Sequence, residues 1–203
     1  GWPERTEAYL ETAQALFIEA AGKALAAAGL TGAEVDAVVT VSSTGIATPS
    51  LEARVFSQMG FRRDVQRTPV FGLGCAGGVS GLALAGRVAA SRPGSVVLFV
   101  TIELCTLAFR LDELTKANIV ATALFGDGAA ACVLRADAQG VERGEWMIEG
   151  AGEYTWPDTL DIMGWNVDPQ GFGVIFARSI PPFARRHMGE AVTAIAAGMG
   201  LTP

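Results

Sequence analysis

The stretch Thr68-Pro-Val-Phe-Gly-Leu-Gly-Cys-Ala-Gly-Gly-Val-Ser-Gly-Leu-Ala-Leu-Ala-Gly-Arg87 places one cysteine, Cys75, between two runs of different character. Residues 69–73 form a short apolar run that is typical of a strand. The apolar residues after the cysteine recur at the spacing of a helix, at Val79, Leu82, Ala83 and Val88. Flanking glycines, Gly74, Gly77 and Gly78, allow the chain to turn sharply and a substrate to come close. The stretch therefore predicts a strand, a tight turn and a helix.

Two interpretations of Cys75 follow from this position. At the first residues of a helix, free N–H groups and the positive end of the helix dipole favour a thiolate over a thiol. A thiolate is the form in which cysteine acts as a nucleophile. A free cysteine can equally be a small buried apolar residue beside a turn. The local sequence leaves both interpretations open.

Strands and helices alternate on both sides of this stretch. We predict helices over Glu4–Ala28, Ser50–Met59, Leu111–Leu124 and Pro181–Met199. We predict strands over Asp36–Ser43, Ser95–Thr101, Gly128–Leu134, Glu145–Glu149 and Gly171–Phe176, of which Gly128–Leu134 has the small apolar residues of a central strand. This order implies right-handed βαβ units, and hence an α/β fold with a mostly parallel sheet and helices on both faces.

Composition excludes several classes of protein. Half of the residues are apolar and 18% are charged, as in a compact protein with a large core. The net charge of −6 offers no basic stripe for a nucleic acid. We expect no membrane span, because no run reaches about 18 uncharged apolar residues. Three widely spaced cysteines predict neither a disulfide framework nor a zinc site, so a reducing cytoplasm is the expected location.

Three motifs in register identify a family. They are Gly74-Cys-Ala-Gly-Gly78, Leu124-Phe-Gly-Asp-Gly-Ala-Ala130 and Gly171-Phe-Gly-Val-Ile-Phe-Ala-Arg-Ser-Ile-Pro-Pro182. With them, the sequence resembles the type III polyketide synthases, the chalcone-synthase-like branch of the thiolase superfamily. The resemblance implies a thiolase-like fold, with residues 1–178 as the first repeat and residues 179–203 as the truncated opening helix of the second.

The resemblance also assigns roles to individual residues. Cys75 aligns with the cysteine that accepts the acyl group. Phe125 aligns with the phenylalanine between the active cavity and the tunnel that admits coenzyme A, although it could also be a plain core aromatic. Ser43 and Cys105 align with positions that shape the cavity and are threonine in the plant enzymes.

Two further residues are assigned in the same way. Thr48 aligns with a residue that reaches into the cavity of the partner subunit, ahead of a proline whose peptide bond is cis in relatives. Trp165 falls near a position in the cavity wall that is often glycine in plant enzymes. The resemblance therefore implies a homodimer.

The implied reaction uses an acyl-coenzyme A starter and malonyl-coenzyme A as substrates and needs no cofactor. Similarity to bacterial members, especially in Met163-Gly-Trp-Asn-Val167, favours alkylpyrone or alkylresorcinol products. The catalytic histidine and asparagine of the family are expected beyond Pro203, and His187 matches neither. We therefore expect this chain to be an internal fragment that is inactive by itself.

Two other functions stay open at this point. An initiating β-ketoacyl synthase, the ketoacyl-acyl-carrier-protein synthase III type, shares the fold and the cysteine but extends its starter once, from an acyl carrier protein. A non-catalytic thiolase-fold scaffold, in which Cys75 is inert, belongs to a different class. A plain dinucleotide-binding domain is disfavoured, because the first strand is followed by Ser43-Thr-Gly-Ile and not by a Gly-x-Gly-x-x-Gly turn.

Overall fold

A computed structural model of the 203-residue chain describes residues 1–110, 112, 114–136 and 146–202. The described residues form two compact units. Unit 1 comprises Gly1–Leu107 with Gly126–Met147, and unit 2 comprises Ala108–Phe125 with Ile148–Pro203. The boundary between thiolase repeats after residue 178 stays a prediction.

Unit 1 contains most of the regular structure. Its helices are α1 (Trp2–Ala27), the short α2 (Leu51–Arg54) and α3 (Phe56–Met59), and α4 (Gly77–Ser91). Its strands are β1 (Ala37–Val41), β2 (Gln66–Val70), β3 (Val96–Leu104) and β4 (Asp127–Arg135). The predicted helix over residues 50–59 is thus divided at Val55, and Gly60 ends it in a left-handed conformation with φ 66°.

The four strands form one sheet in the order β2-β1-β3-β4. Strand β1 is parallel to β2 and to β3, whereas β4 is antiparallel to β3. Alternate residues of the buried strands face opposite layers, so Val38 and Leu98 pack on the side of α1, and Val39 and Phe99 pack on the side of α4. The predicted α/β fold, with a mostly parallel sheet covered on both faces, is confirmed.

Strand β4 differs from its predicted place in the sheet. Its small residues predict a central strand, but within the described residues β4 lies at the end of the sheet. The small side chains have another cause, because Ala129 and Ala131 pack against the core on the side of α1, where that helix crosses the strand. Small side chains are therefore expected both in a strand that packs tightly against a helix and in a strand at the centre of a sheet.

Helix α4 lies unusually close to the sheet. Its buried face carries only small residues at intervals of four: Gly77, Gly81, Ala85 and Ala89. A Cβ atom on Gly77 would lie 2.7 Å from Val41 Cγ1, well inside normal contact. The glycines therefore set the separation between the helix and the sheet, and with it the place of the turn that precedes the helix.

Unit 2 contains a hairpin and two helices. Its elements are α5 (Lys116–Leu124), β5 (Met163–Asp168), β6 (Gly171–Phe176) and α6 (Ile180–Gly198). The bounds of β6 are as predicted, but β5 was not predicted. Helix α5 begins later than predicted, at Lys116, where the Thr115 hydroxyl accepts a hydrogen bond from Asn118 N.

Two predicted elements begin at residues that the structure does not describe. Leu111, at the start of one predicted helix, and Glu145, at the start of one predicted strand, lie outside them. The rest of that strand, residues 146–149, has no regular structure, so the prediction is wrong there. No helix in the described part of the chain has the length and hydropathy of a membrane span.

Candidate active site

The carboxyl ends of three strands of unit 1 meet at one edge of the sheet. Because β1, β2 and β3 are mutually parallel, the segments that follow them emerge on the same side. Ser43 follows β1, Cys75 lies between β2 and α4, and Cys105 comes directly after β3. Loops at this edge are where open α/β sheets bind their ligands. The fold thus brings three of the predicted site residues to the same edge.

Cys75 lies in a single 3₁₀ turn, Gly74–Ala76, and its side chain is exposed. Two glycines before it adopt left-handed conformations, Gly72 with φ 93° and Gly74 with φ 53°, which a residue with a side chain rarely adopts. A Cβ on Gly78 would meet no atom of the chain within 4 Å, so packing does not require glycine there, and its role in letting a substrate come close stays a prediction. The turn presents the thiol to the outside of unit 1, unlike a small residue buried in its core.

The other two cysteines are in different surroundings. Burial raises the pKa of the Cys105 thiol to about 11, and the negative charges of Glu103 and Asp127 and the nearby Cys75 add to that effect. Burial also raises the pKa of Cys132. Both thiols therefore resist ionisation at neutral pH, which makes them poor nucleophiles.

Glu103 organises the edge from the end of β3. Its carboxylate accepts hydrogen bonds from Ser43 N at 3.0 Å and Ser43 Oγ at 2.8 Å, and from Thr44 Oγ1 at 2.8 Å. The Thr44 hydroxyl in turn accepts a hydrogen bond from Leu104 N at 2.8 Å. These bonds fix the segment after β1 to the end of β3 and orient the buried Ser43 side chain. Glu103 was not among the predicted site residues, because it lies beyond Thr101, the predicted end of this strand.

A second carboxylate fixes the turn that holds Cys105. Asp127, the first residue of β4, accepts hydrogen bonds from Thr106 N at 2.8 Å and Thr106 Oγ1 at 2.6 Å. The residues around Cys105 are therefore held from both sides, by β3 and by the start of β4. A half-buried thiol in such a fixed turn can shape a cavity wall.

Thr48 lies on an exposed part of the segment between β1 and α2. The Thr48–Pro49 peptide bond is cis, as the resemblance implied. Arg54 donates hydrogen bonds to the carbonyl oxygens of Pro49 at 2.8 Å and of Thr48 at 3.3 Å. An exposed Thr48 is compatible with the predicted contact to a partner subunit, which stays a prediction.

Phe125 and Trp165 both lie in unit 2. Phe125 follows α5, is half-buried, and meets Phe176 of β6 edge to face with the ring centres 5.8 Å apart. Trp165 lies on β5 and its ring is 5.8 Å from that of Phe172. Each aromatic side chain is thus supported by the hairpin, and the predicted cavity roles of both stay predictions.

His187, which matches neither catalytic residue of the family, packs against aromatic side chains. It lies on α6, where its ring is 4.6 Å from that of Phe183 and 6.4 Å from that of Trp156. Among the residues that the structure describes, no cluster of three or more His, Cys, Asp or Glu side chains could hold a metal ion.

Unit 1 also contains a cavity of about 320 Å³ between α1 and the ends of β1 and β2. Tyr9 and Ser42 line it, and the Tyr9 hydroxyl donates a 2.8 Å hydrogen bond to Ser42 Oγ. Burial raises the pKa of Tyr9. The cavity lies at the same edge of the sheet as Cys75, but Cys75 does not line it.

Residues 3–138 match the family model described as the N-terminal domain of chalcone and stilbene synthases. The chain belongs to this family. The predicted resemblance to the chalcone-synthase-like enzymes is thereby confirmed.

Individual relatives agree with this assignment. The chain is 42% identical over 197 residues to a 1,3,6,8-tetrahydroxynaphthalene synthase of Streptomyces peucetius subsp. caesius. The aligned region covers 97% of the chain and 52% of the relative. A putative chalcone synthase of Bacillus subtilis (strain 168) is 42% identical over 160 residues, 76% of the chain and 44% of the relative. The chain therefore spans about half the length of the curated relatives it matches.

A solved structure shows the same fold. The crystal structure of 1,3,6,8-tetrahydroxynaphthalene synthase from Streptomyces coelicolor A3(2), a bacterial type III polyketide synthase, matches with a TM-score of 0.91 at 28% identity. The match covers 98% of the chain and 56% of that structure. The predicted thiolase-like fold is thus confirmed across nearly the whole chain.

Proposed function

We propose that the protein is a type III polyketide synthase in which Cys75 holds the growing acyl chain as a thioester. The observation that carries the proposal is the position of Cys75, exposed in a glycine-flanked turn at the start of α4. The turn opens at the edge where three strand ends meet. Membership of the chalcone and stilbene synthase family supports the same chemistry.

The first proposed step loads the starter. The Cys75 thiolate attacks the carbonyl carbon of an acyl-coenzyme A, the bond between that carbon and the coenzyme A sulfur breaks, and the coenzyme A thiolate leaves and takes up a proton. Negative charge builds on the carbonyl oxygen during this attack and needs fixed donors. The N–H of Cys75 at the helix start is our candidate donor.

The second proposed step extends the chain. Malonyl-coenzyme A loses carbon dioxide, and the electron pair of the broken bond forms an enolate. The enolate carbon attacks the Cys75 thioester, a carbon–carbon bond forms, and the Cys75 thiolate leaves. The β-ketoacyl-coenzyme A that results can load Cys75 again, so the cycle repeats until the chain cyclises.

The other predicted residues have supporting roles in this scheme. Ser43 and Cys105 shape the cavity, and Glu103 keeps Ser43 in place through the hydrogen bonds to its carboxylate. Phe125 separates the cavity from the coenzyme A tunnel, and Trp165 forms part of the wall. The donors for decarboxylation are expected beyond residue 203, so the 203-residue chain alone is expected not to catalyse condensation.

The product class has two candidates. Similarity to bacterial members favours alkylpyrones or alkylresorcinols, which retain the alkyl chain of the starter. The relative of Streptomyces peucetius is named for 1,3,6,8-tetrahydroxynaphthalene, an aromatic without an alkyl chain. A homodimer with Thr48 at the partner's cavity, a cytoplasmic location and the absence of a cofactor complete the proposal.

Product analysis of the whole protein tests the proposal. Malonyl-coenzyme A is supplied alone and with octanoyl- or palmitoyl-coenzyme A, and the products are identified by mass spectrometry. We expect products with two or more added ketide units from free coenzyme A esters, and none from Cys75→Ala. A single extension that requires an acyl carrier protein would indicate the initiating ketoacyl synthase, and no product from any starter would indicate the scaffold. A product that carries the alkyl chain of the starter would indicate the alkylpyrone or alkylresorcinol class. A product without an alkyl chain, formed from malonyl-coenzyme A alone, would indicate the other class.

A further inference from the structure

The β5–β6 hairpin of unit 2 has two different faces. Its antiparallel register pairs Asn166 with Gly173 and Asp168 with Gly171. Because paired residues in a hairpin point to the same side, these four residues share one face. The opposite face carries the large apolar residues Trp165, Val167, Phe172, Val174 and Phe176. Apart from Ile175, which pairs with Gly164, the first face is small and polar, and the other holds the aromatic side chains.

Arg110 binds the small, polar face. Its Nη1 lies 3.1 Å from both carboxylate oxygens of Asp168, the last residue of β5. Its Nε and Nη2 donate to the two oxygens of Asp112 at 2.9 and 2.7 Å. A Cβ on Gly173 would lie 3.7 Å from Arg110 Nη1, so the guanidinium passes directly over this glycine. Arg110 thus holds the hairpin from one side.

Asp168 carries this contact into the turn of the hairpin. Its Oδ1 also accepts hydrogen bonds from Gln170 N at 2.8 Å and Gly171 N at 3.1 Å. The bond from Gln170 N and the bond from Arg110 lower the pKa of Asp168, and the bonds to Asp112 and Asp168 raise the pKa of Arg110. One carboxylate therefore connects the arginine, the end of β5 and the start of β6.

The aromatic face is held by the same segment of chain that supplies the arginine. Phe125 lies fifteen residues after Arg110, at the end of α5, and packs edge to face on Phe176. Helix α5 packs against β6, and Phe172 contacts Trp165. The guanidinium of Arg110 thus contacts one face of the hairpin, and the ring of Phe125 packs on the other.

We propose that Arg110 is a positioning residue that sets starter selectivity by fixing the β5–β6 hairpin, and with it Trp165 and the contact between Phe125 and Phe176. The inference rests on the proposed function, in which Trp165 and Phe125 border the cavity. Arginine suits this task because its planar fork donates two bonds to Asp112 and still reaches Asp168, whereas lysine has one compact ammonium group and cannot reproduce the bidentate pair. The side chain is 5% exposed, so water does not replace the lost bonds.

The test compares Arg110→Lys with a matched variant in the whole protein. Arg62→Lys makes the same chemical change at an arginine that also pairs with two carboxylates, Asp36 and Asp64, but lies in unit 1. The ratio of kcat/KM for palmitoyl- and octanoyl-coenzyme A is measured for each. We expect Arg110→Lys to change this ratio by about 10-fold, the scale of discrimination in an apolar pocket, and Arg62→Lys to leave it unchanged.

Two further measurements separate positioning from a merely structural role. Asp168→Asn is expected to change the ratio in the same direction, and the double variant with Arg110→Lys to change it no further, because both act through one contact. Amide hydrogen exchange of residues 164–175 is expected to accelerate in both single variants.

The outcomes distinguish this inference from the proposed function. Faster exchange with an unchanged starter ratio would overturn the positioning role, and so would an unchanged exchange rate. Products from malonyl-coenzyme A alone, with no use of an acyl starter, would overturn the selectivity role and leave the proposed function standing. If the unaltered protein forms no product from malonyl-coenzyme A with or without an acyl starter, the proposed function fails. In that case the exchange data still report whether Arg110 fixes the hairpin.

Discussion

Replacing Gly81 with alanine is expected to destabilise unit 1, because α4 leaves no room for a side chain at this position. A Cβ on Gly81 would lie 2.7 Å from Phe99 Cε2 and closer still to Val41 Cγ2. Carbon atoms normally approach to about 3.5–4.0 Å, so the shortfall is about 1 Å. Val41 and Phe99 are 2% and 5% exposed, so neither side chain can turn out into solvent without leaving the core.

The magnitude follows from two opposing effects. Overpacking of a dense core costs about 1–3 kcal/mol. Alanine is favoured over glycine inside a helix by about 1 kcal/mol, which offsets part of that cost. The free energy of unfolding should therefore fall by up to about 2 kcal/mol. Removing the Val41 methyl groups in the double variant Val41→Ala, Gly81→Ala should relieve part of the clash, so the two effects should not be additive.

The control is Gly78→Ala in the same helix. A Cβ there meets nothing within 4 Å, so this variant should be unchanged or slightly more stable. The assay is urea unfolding of the whole protein, followed by circular dichroism, with amide exchange of α4 as a local measure. Equal stability of Gly81→Ala and Gly78→Ala would refute the close approach of α4 to the sheet.

Two further predictions concern ionisable groups of unit 1. The pKa of Asp36 is lowered because its carboxylate accepts hydrogen bonds from Val96 N and Arg62. Its contribution to the free energy of unfolding is therefore fully present above the unfolded pKa of about 3.9, and it is lost as the pH falls through the folded pKa. Asp36→Asn should therefore be less stable than the unaltered protein at neutral pH and should lose less stability in acid. If the urea midpoints of the two proteins changed by the same amount between pH 7 and 3, the result would contradict this. Iodoacetamide at neutral pH should label the exposed Cys75 first, since with a pKa of about 11 only about one Cys105 thiol in 10⁴ is ionised at pH 7. Peptide mass spectrometry that found Cys105 labelled as fast as Cys75 would count against it.

Local sequence patterns were sufficient for the elements that depend on neighbouring residues. The β-branched run at residues 95–101 predicted β3, and the glycines around Cys75 predicted its turn. Strand β6 was predicted with its bounds because an apolar run lies between a glycine and the Ser-Ile-Pro-Pro segment. In each case the residues that determine the structure are close together in the chain.

Features that depend on distant residues were missed. Glu103 receives its role from Ser43, which is 60 residues away, and Arg110 receives its role from Asp168, 58 residues away. Strand β5 exists because β6 pairs with it, and its glycine and asparagine give no strand signal of their own. The edge position of β4 likewise depends on strand order, which no single segment encodes.

One feature could have been found from the sequence. Gly77, Gly81, Ala85 and Ala89 recur every four residues, which places them on one face of a helix. Such a stripe predicts a close contact between a helix and its neighbour. This contact fixes the start of α4, and therefore the location of Cys75.

Detection of an acyl group on Cys75 tests the central claim most directly. The whole protein is incubated with palmitoyl-coenzyme A in the absence of malonyl-coenzyme A, and its peptides are analysed by mass spectrometry. We predict a palmitoyl thioester on the peptide that contains Cys75, retained in Cys132→Ser and absent from Cys75→Ala. No adduct at Cys75, or equal labelling of Cys75→Ala at another residue, would contradict the assignment of Cys75 as the nucleophile.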